Sequence, residues 1–248
     1  MKITTVLTAL NYNDKYIRFV PLFIRQWKLV FPEIKVVIFF IGNKIPLCLR
    51  NYKDNIVLFD EIEGLSSVYI AQTIRLLYPA LLPVDETVLI TDIDMLPGMN
   101  KDYYTTKIEH ISNNVFVSMR PLSSVSANEI AMCYNVARTD IWAKIFNVHS
   151  KDDIVQFLIR HWSGGNGLHG SDGWTQDQHI LYTFFHMNNV EAIILNDSYM
   201  KRLDFDQHRY DKQKFVEKIR DPTYSDVHLY ADVCNWSWSD ICELVKHI

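Results

Sequence analysis

Long hydrophobic runs are missing from this chain. The longest strongly apolar stretch, Val36 to Ile41, is six residues, far below the roughly 20 that a helical membrane span needs, so no transmembrane segment is expected. Runs of one charge are missing too. No three lysines or arginines are consecutive and the net charge is −4, which leaves no basic footprint for nucleic acid. Cysteine is scarce and scattered: Cys48, Cys133, Cys234 and Cys242 show none of the paired spacing of a zinc site or redox motif, so reduced thiols are expected. The opening stretch, Met1 to Leu7, reads directly into a strand, without the apolar segment and small-residue cleavage site of a secretory signal. A cytoplasmic location is the expectation.

What is present is apolar patterning in abundance. At 48% hydrophobic residues over 248 positions, a sizeable core is required. The first hundred residues alternate between strand and helix patterns. Ile3–Leu10, Lys35–Ile41, Ile56–Phe59 and Thr87–Ile90 read as strands, separated by a helix through Tyr16, Phe19, Phe23, Trp27 and Val30 and another from about Val68 through Leu81. Strands joined by helical crossovers predict an α/β fold with a mostly parallel central sheet flanked by helices. The second half is less regular, with a strand at 115–118, helices at 140–146, 152–161 and 178–186, a strand at 192–195 and an amphipathic helix at 237–247 capped by Ser237 or Ser239. No repeat or linker breaks the chain, so one domain over 1–248 is expected, a nucleotide-binding half at 1–100 and an acceptor-side half at 101–248.

The sharpest feature is Asp92-Ile93-Asp94 at the end of the fourth strand. In an extended segment residues 92 and 94 point the same way, with Ile93 toward the core. Two hard oxygen ligands then converge on one side and suit Mn²⁺ or Mg²⁺, whose shell phosphate oxygens complete. A second feature is the stretch from His161 to Phe185, which holds five of the eight glycines and leads into Trp174-Thr175-Gln176-Asp177-Gln178 at a helix start. Its glycines permit close backbone approach to a ligand, and it lacks the Lys-Ser/Thr ending of a P-loop. Asp177 is read either as a site carboxylate or as a first-turn acid favoured by the helix dipole.

From "YIAQTIRLLYPALLPVDETVLITDIDMLP", residues 69–97, the chain resembles the GT-A glycosyltransferases, which carry an apolar strand, DxD and a short apolar-Pro segment after an arginine-bearing helix. The resemblance implies the GT-A, or nucleotide-diphospho-sugar transferase, fold. It implies that Asp92 and Ile93 face the donor, that Asp94 binds the cation beside Asp92, and that Arg75 steadies a carboxylate or the donor sugar; a surface arginine is the other reading. Thr8, Ala9 and Asn11 match the place where such enzymes seat uracil and ribose, although Asn11 and Asn13 would equally cap the next helix. Asp177-Gln178 resembles an Asp-Gln pair of the glycogenin-like members, and implies a general base if the enzyme inverts or a donor-positioning group if it retains. Tyr134-Asn135-Val136-Ala137 resembles their Phe-Asn-Ala-Gly segment, with Ala137 in place of glycine. Their third metal ligand, a histidine near the C-terminus, would be His228, although the glycine, lysine and proline that follow it in that family are absent here. Asn135, Trp174 and Gln178 would border the acceptor, with Asp232, Trp236 and Trp238 as a possible aromatic wall or as packing for the last helix.

The resulting expectation is a metal-dependent transfer of a sugar from a nucleoside diphosphate, UDP above others, to a hydroxyl of a carbohydrate or glycan acceptor. Three rivals stand beside it. A DxD phosphohydrolase would need the pair after its first strand, and a nucleotidyltransferase would need a glycine-rich basic segment near Thr8–Lys15 that is missing. The third is a non-catalytic sugar- or nucleotide-binding module of the same fold.

Overall fold

The computed structural model describes residues 1–121, 128–165, 167, 170, 172–205, 212–229 and 236–247. The elements run β1 (Thr5–Asn11), α1 (Asp14–Ile17), α2 (Phe19–Val30), β2 (Lys35–Ile41), β3 (Ile56–Phe59), α3 (Ser67–Leu77) and β4 (Thr87–Ile90). They continue with β5 (Met95–Pro97), α4 (Asp102–Thr105), β6 (Phe116–Ser118), β7 (Asn135–Arg138), α5 (Thr139–Phe146), α6 (Lys151–His161) and α7 (Gln176–Met187). The last are β8 (Ala192–Ile194), β9 (Arg202–Phe205), α8 (Lys212–Ile219), β10 (Asp226–Leu229) and α9 (Trp238–His247).

Seven strands form one sheet in the order β3-β2-β1-β4-β7-β6-β8, and β5, β10 and β9 form a smaller one. The pairs among β1 to β4 are parallel, as the alternation of strand and helix predicts, whereas β7 runs antiparallel to β4 and β6. Alternation along each central strand decides which layer it meets. Val6 and Leu10 of β1, with Val36, Ile38 and Phe40 of β2, join a core that holds α2 and α9. Leu7, Ala9, Val37, Phe39 and Ile41 join the other, built on α3, α5, α6 and α7. Covered on both faces, β1 is buried from Thr5 to Leu10.

The first layer centres on Trp27, fully buried against Phe23, Phe31, Tyr104 and Tyr134. Trp142 is likewise core, packed on Phe116 and Phe146, and Trp236 packs on Phe205 and Phe215. Asp232 lies outside the described residues. Ser237 begins α9 with a capping box: its hydroxyl accepts from Asp240 N–H at 3.2 Å while the Asp240 carboxylate accepts from Ser237 N–H at 2.9 Å.

Two sequence expectations change. The DxD segment is not extended: Met95 N–H donates to Asp92 C=O at 3.2 Å, closing a turn. Asp92 then meets Arg75, and Asp94 stands across from His228. The irregular second half also contains β7, β9 and β10, which the sequence reading passed over. At four residues each, they are too short for periodicity to distinguish from loop.

Candidate active site

The site begins where β4 stops. Ile93 is buried and anchors the turn, while Asp92 and Asp94 are partly exposed. Arg75 rises from α3 into the gap between β4 and α7. Its Nη1 donates to Asp92, and its Nη2 to Asp177 Oδ2 at 2.6 Å. Arg75 is buried, so the surface-arginine reading is set aside. Burial alone would lower its pKa, but Asp92 and Asp177 outweigh that and leave it raised. Burial likewise pushes the Asp177 carboxyl up, and Arg75 opposes the shift. Asp177 Oδ1 also accepts from Gln178 N–H at 2.9 Å, so both carboxylate oxygens are engaged and the side chain is only 3% exposed.

Asp94 faces His228. The small sheet does this: β10 pairs antiparallel with β5, and Leu229 N–H donates to Asp94 C=O at 2.8 Å. Asp94 Oδ2 and His228 Nε2 stand 3.7 Å apart. Burial lowers the His228 pKa, but the Asp94 carboxylate, with Asp204 on the other ring nitrogen, leaves it raised. The close approach of β5 to β10 depends on Gly98, where a Cβ would lie 2.0 Å from the Tyr224 carbonyl oxygen.

Gly167 and Trp174 of the glycine-rich stretch meet α3. Gln72, one turn before Arg75 on the same face of α3, donates through Nε2 to Gly167 C=O at 3.2 Å and Trp174 C=O at 3.1 Å. Gly165 crosses the 172–173 segment so closely that a Cβ would meet the Asp172 carbonyl at 2.3 Å. Trp174 is exposed and Gln178 half-buried beside Asp177.

Other candidates stand apart from this opening. Thr8 and Ala9 are buried inside β1, because a central strand is covered on both faces. Asn11 does reach the strand's mouth, where its Nδ2 donates to Ser67 Oγ at 3.1 Å. Asn13 is the cap of α1, accepting from Lys15 N–H. Asn135 is wholly buried and donates to Ala131 C=O at 2.7 Å.

Sequence reading missed Gln72, Asp204 and the buried pairing of Asp226 with Arg120 and Arg202. A signal existed: Arg202-Leu203-Asp204-Phe205 and Asp226-Val227-His228-Leu229 both alternate polar and apolar at the strand period. Gln72 lies three residues from Arg75, the spacing that shares a helix face.

The chemistry of the donors facing each other fits a divalent cation of the Mn²⁺ or Mg²⁺ type: a carboxylate oxygen of Asp94 opposes a histidine nitrogen, with Asp92 across the same turn. Among the described residues, no three His, Cys, Asp or Glu side chains gather closely enough to enclose an ion.

This architecture is the GT-A fold of glycosyltransferases, a mostly parallel sheet flanked by helices with the carboxylates at the end of its fourth strand. Among solved structures, the galactosyltransferase LgtC in complex with donor and acceptor sugar analogs superposes with a TM-score of 0.50 at 13% identity, over 99% of this chain and 96% of that one. The glycosyltransferase GlyE of Streptococcus pneumoniae TIGR4 gives 0.52 at 15% identity, over 99% of this chain. This chain spans 60% of the length of GlyE. No family model matches the sequence, and no curated protein sequence matches it. Among the described residues no helix is long and apolar enough to cross a membrane.

Proposed function

We propose that the protein is a metal-dependent glycosyltransferase that moves a sugar from a nucleoside diphosphate, UDP in the first instance, to a carbohydrate or glycan hydroxyl. The observation that carries this reading is the facing pair Asp94–His228 at the end of β4, with Arg75 binding the neighbouring Asp92 to Asp177.

Asp94 and His228, with Asp92, would hold Mn²⁺ or Mg²⁺. Bound there, the cation would neutralise charge that collects on the departing diphosphate. The chain's own residues supply positioning. Arg75 fixes Asp92 and Asp177 on one guanidinium, so the donor side of the site is preorganised before substrate arrives. Asn11 and the backbone at the mouth of β1 border the nucleoside. Gln72 ties the backbone at Gly167 and at Trp174 to α3, which would narrow the site and exclude water from a donor prone to hydrolysis. With both oxygens engaged and almost no exposure, Asp177 serves better as a positioning group than as a base that strips the acceptor proton. Trp174 and Gln178 then face the acceptor side.

The test is turnover. With Mn²⁺ and a panel of UDP- and GDP-sugars, the protein should release the nucleotide slowly from one donor by hydrolysis and faster once a suitable acceptor is added. Asp94→Ala should abolish both. Nucleotide release that is indifferent to metal and to Asp94 would sink the proposal.

A further inference from the structure

The small sheet does more than deliver His228. β9 pairs in parallel with β10, with Arg202 opposite Asp226 and Asp204 opposite His228. Strand alternation puts Leu203, Phe205, Val227 and Leu229 into the core. The four polar residues therefore share the opposite face as two rungs. In the first rung, Asp226 is fully buried and held by Arg120, with Arg202 Nε 3.5 Å from its Oδ2. That rung fixes the register of the strands. In the second rung, Asp204 Oδ1 lies 3.2 Å from His228 Nδ1.

The rings of metal-ligating histidines are commonly oriented this way: one nitrogen donates to a carboxylate, which selects the tautomer and aims the other nitrogen at the ion. Resting on the reading of Asp94 and His228 as cation ligands, we infer that Asp204 is a positioning residue for the cation. It accepts the Nδ1 proton of His228 and holds Nε2 toward Asp94. Nothing in its own segment marks Asp204 as a site residue, and it reaches the cation only through the imidazole.

The experiment uses the full chain with UDP present. Mn²⁺ is titrated and free ion is read from its EPR signal, while pulsed EPR reads the nitrogen coupling of the bound ion. Asp204→Ala should weaken Mn²⁺ binding about 10- to 100-fold and diminish the nitrogen coupling. Asp204→Asn, whose amide oxygen still accepts the Nδ1 proton, should recover most of both. Asp204 is 53% exposed, so both variants should keep the wild-type thermal midpoint. Wild-type affinity and coupling in Asp204→Ala, alongside lost binding in Asp94→Ala, overturns the inference and leaves the site reading intact. Equal weakness in Asp204→Asn and Asp204→Ala also overturns it. Undiminished binding in Asp94→Ala overturns the reading beneath it.

Discussion

Replacing Arg75 by methionine separates the two halves of its bridge by magnitude. The Asp92 limb ends on a carboxylate that is 37% exposed, so solvent screens it and its loss costs under about 1 kcal/mol. The Asp177 limb ends on a carboxylate that is 3% exposed. Removing its partner leaves an uncompensated buried charge, a change that costs about 3–5 kcal/mol. The Asp177 limb therefore sets the outcome: Arg75→Met should destabilise the protein by about 3–5 kcal/mol at neutral pH. At roughly 2–4 °C per kcal/mol for a chain of this size, the midpoint should fall by about 6–20 °C. The deficit must also depend on pH. Burial already raises the Asp177 pKa, and without Arg75 the largest influence opposing that shift is gone. A carboxyl whose folded pKa lies above its unfolded value of about 3.9 binds its proton more tightly when folded. The penalty is then full above the raised folded pKa and shrinks as pH falls toward the unfolded one. Urea unfolding followed by circular dichroism between about pH 4 and 8 measures this, with Arg75→Met/Asp177→Asn expected to recover much of the loss. A deficit under about 1 kcal/mol, one that does not change with pH, or one that Asp177→Asn fails to relieve would refute the reasoning.

Other consequences are as direct. Gly98→Ala should destabilise the β5–β10 pairing, because the new Cβ meets backbone oxygen and cannot be accommodated by a side-chain shift; Mn²⁺ affinity should fall with it, since that pairing places His228. Trp27→Ala should cost about 3–5 kcal/mol in chemical denaturation, and a loss under about 1 kcal/mol would contradict its central place in the first core layer. Ser237→Ala should cost about 1 kcal/mol through the lost cap of α9. Asp240, drawn down to about 2 by Lys212 and Ser237, contributes its share above its unfolded pKa and loses it as pH falls toward 2, so Asp240→Asn and wild type should converge in stability in acid.

The parallel strands β1 to β4 were legible because each is a short apolar run between helical patterns, and a central parallel strand has that composition, whereas the three-residue β5 was passed over. Asp92, Asp94, Arg75 and Asp177 were legible as individual residues. Their grouping was not, since one arginine joining residues 92 and 177 is a long-range contact that no local pattern encodes. His228 illustrates the intermediate case. Its partner strand has the right alternation, but four residues carry too little periodicity, and its neighbour Asp204 lies 24 positions away in sequence. Thr8 shows what a motif position does not reveal: the strand's double coverage buries its side chain.

The most direct measurement of the central claim is calorimetric titration of UDP into the protein with and without Mn²⁺, for wild type and Asp94→Ala. UDP should bind wild type only when the metal is present, and Asp94→Ala should lose that metal-dependent binding. Equal UDP binding with and without metal, or metal-dependent binding that survives in Asp94→Ala, would contradict it.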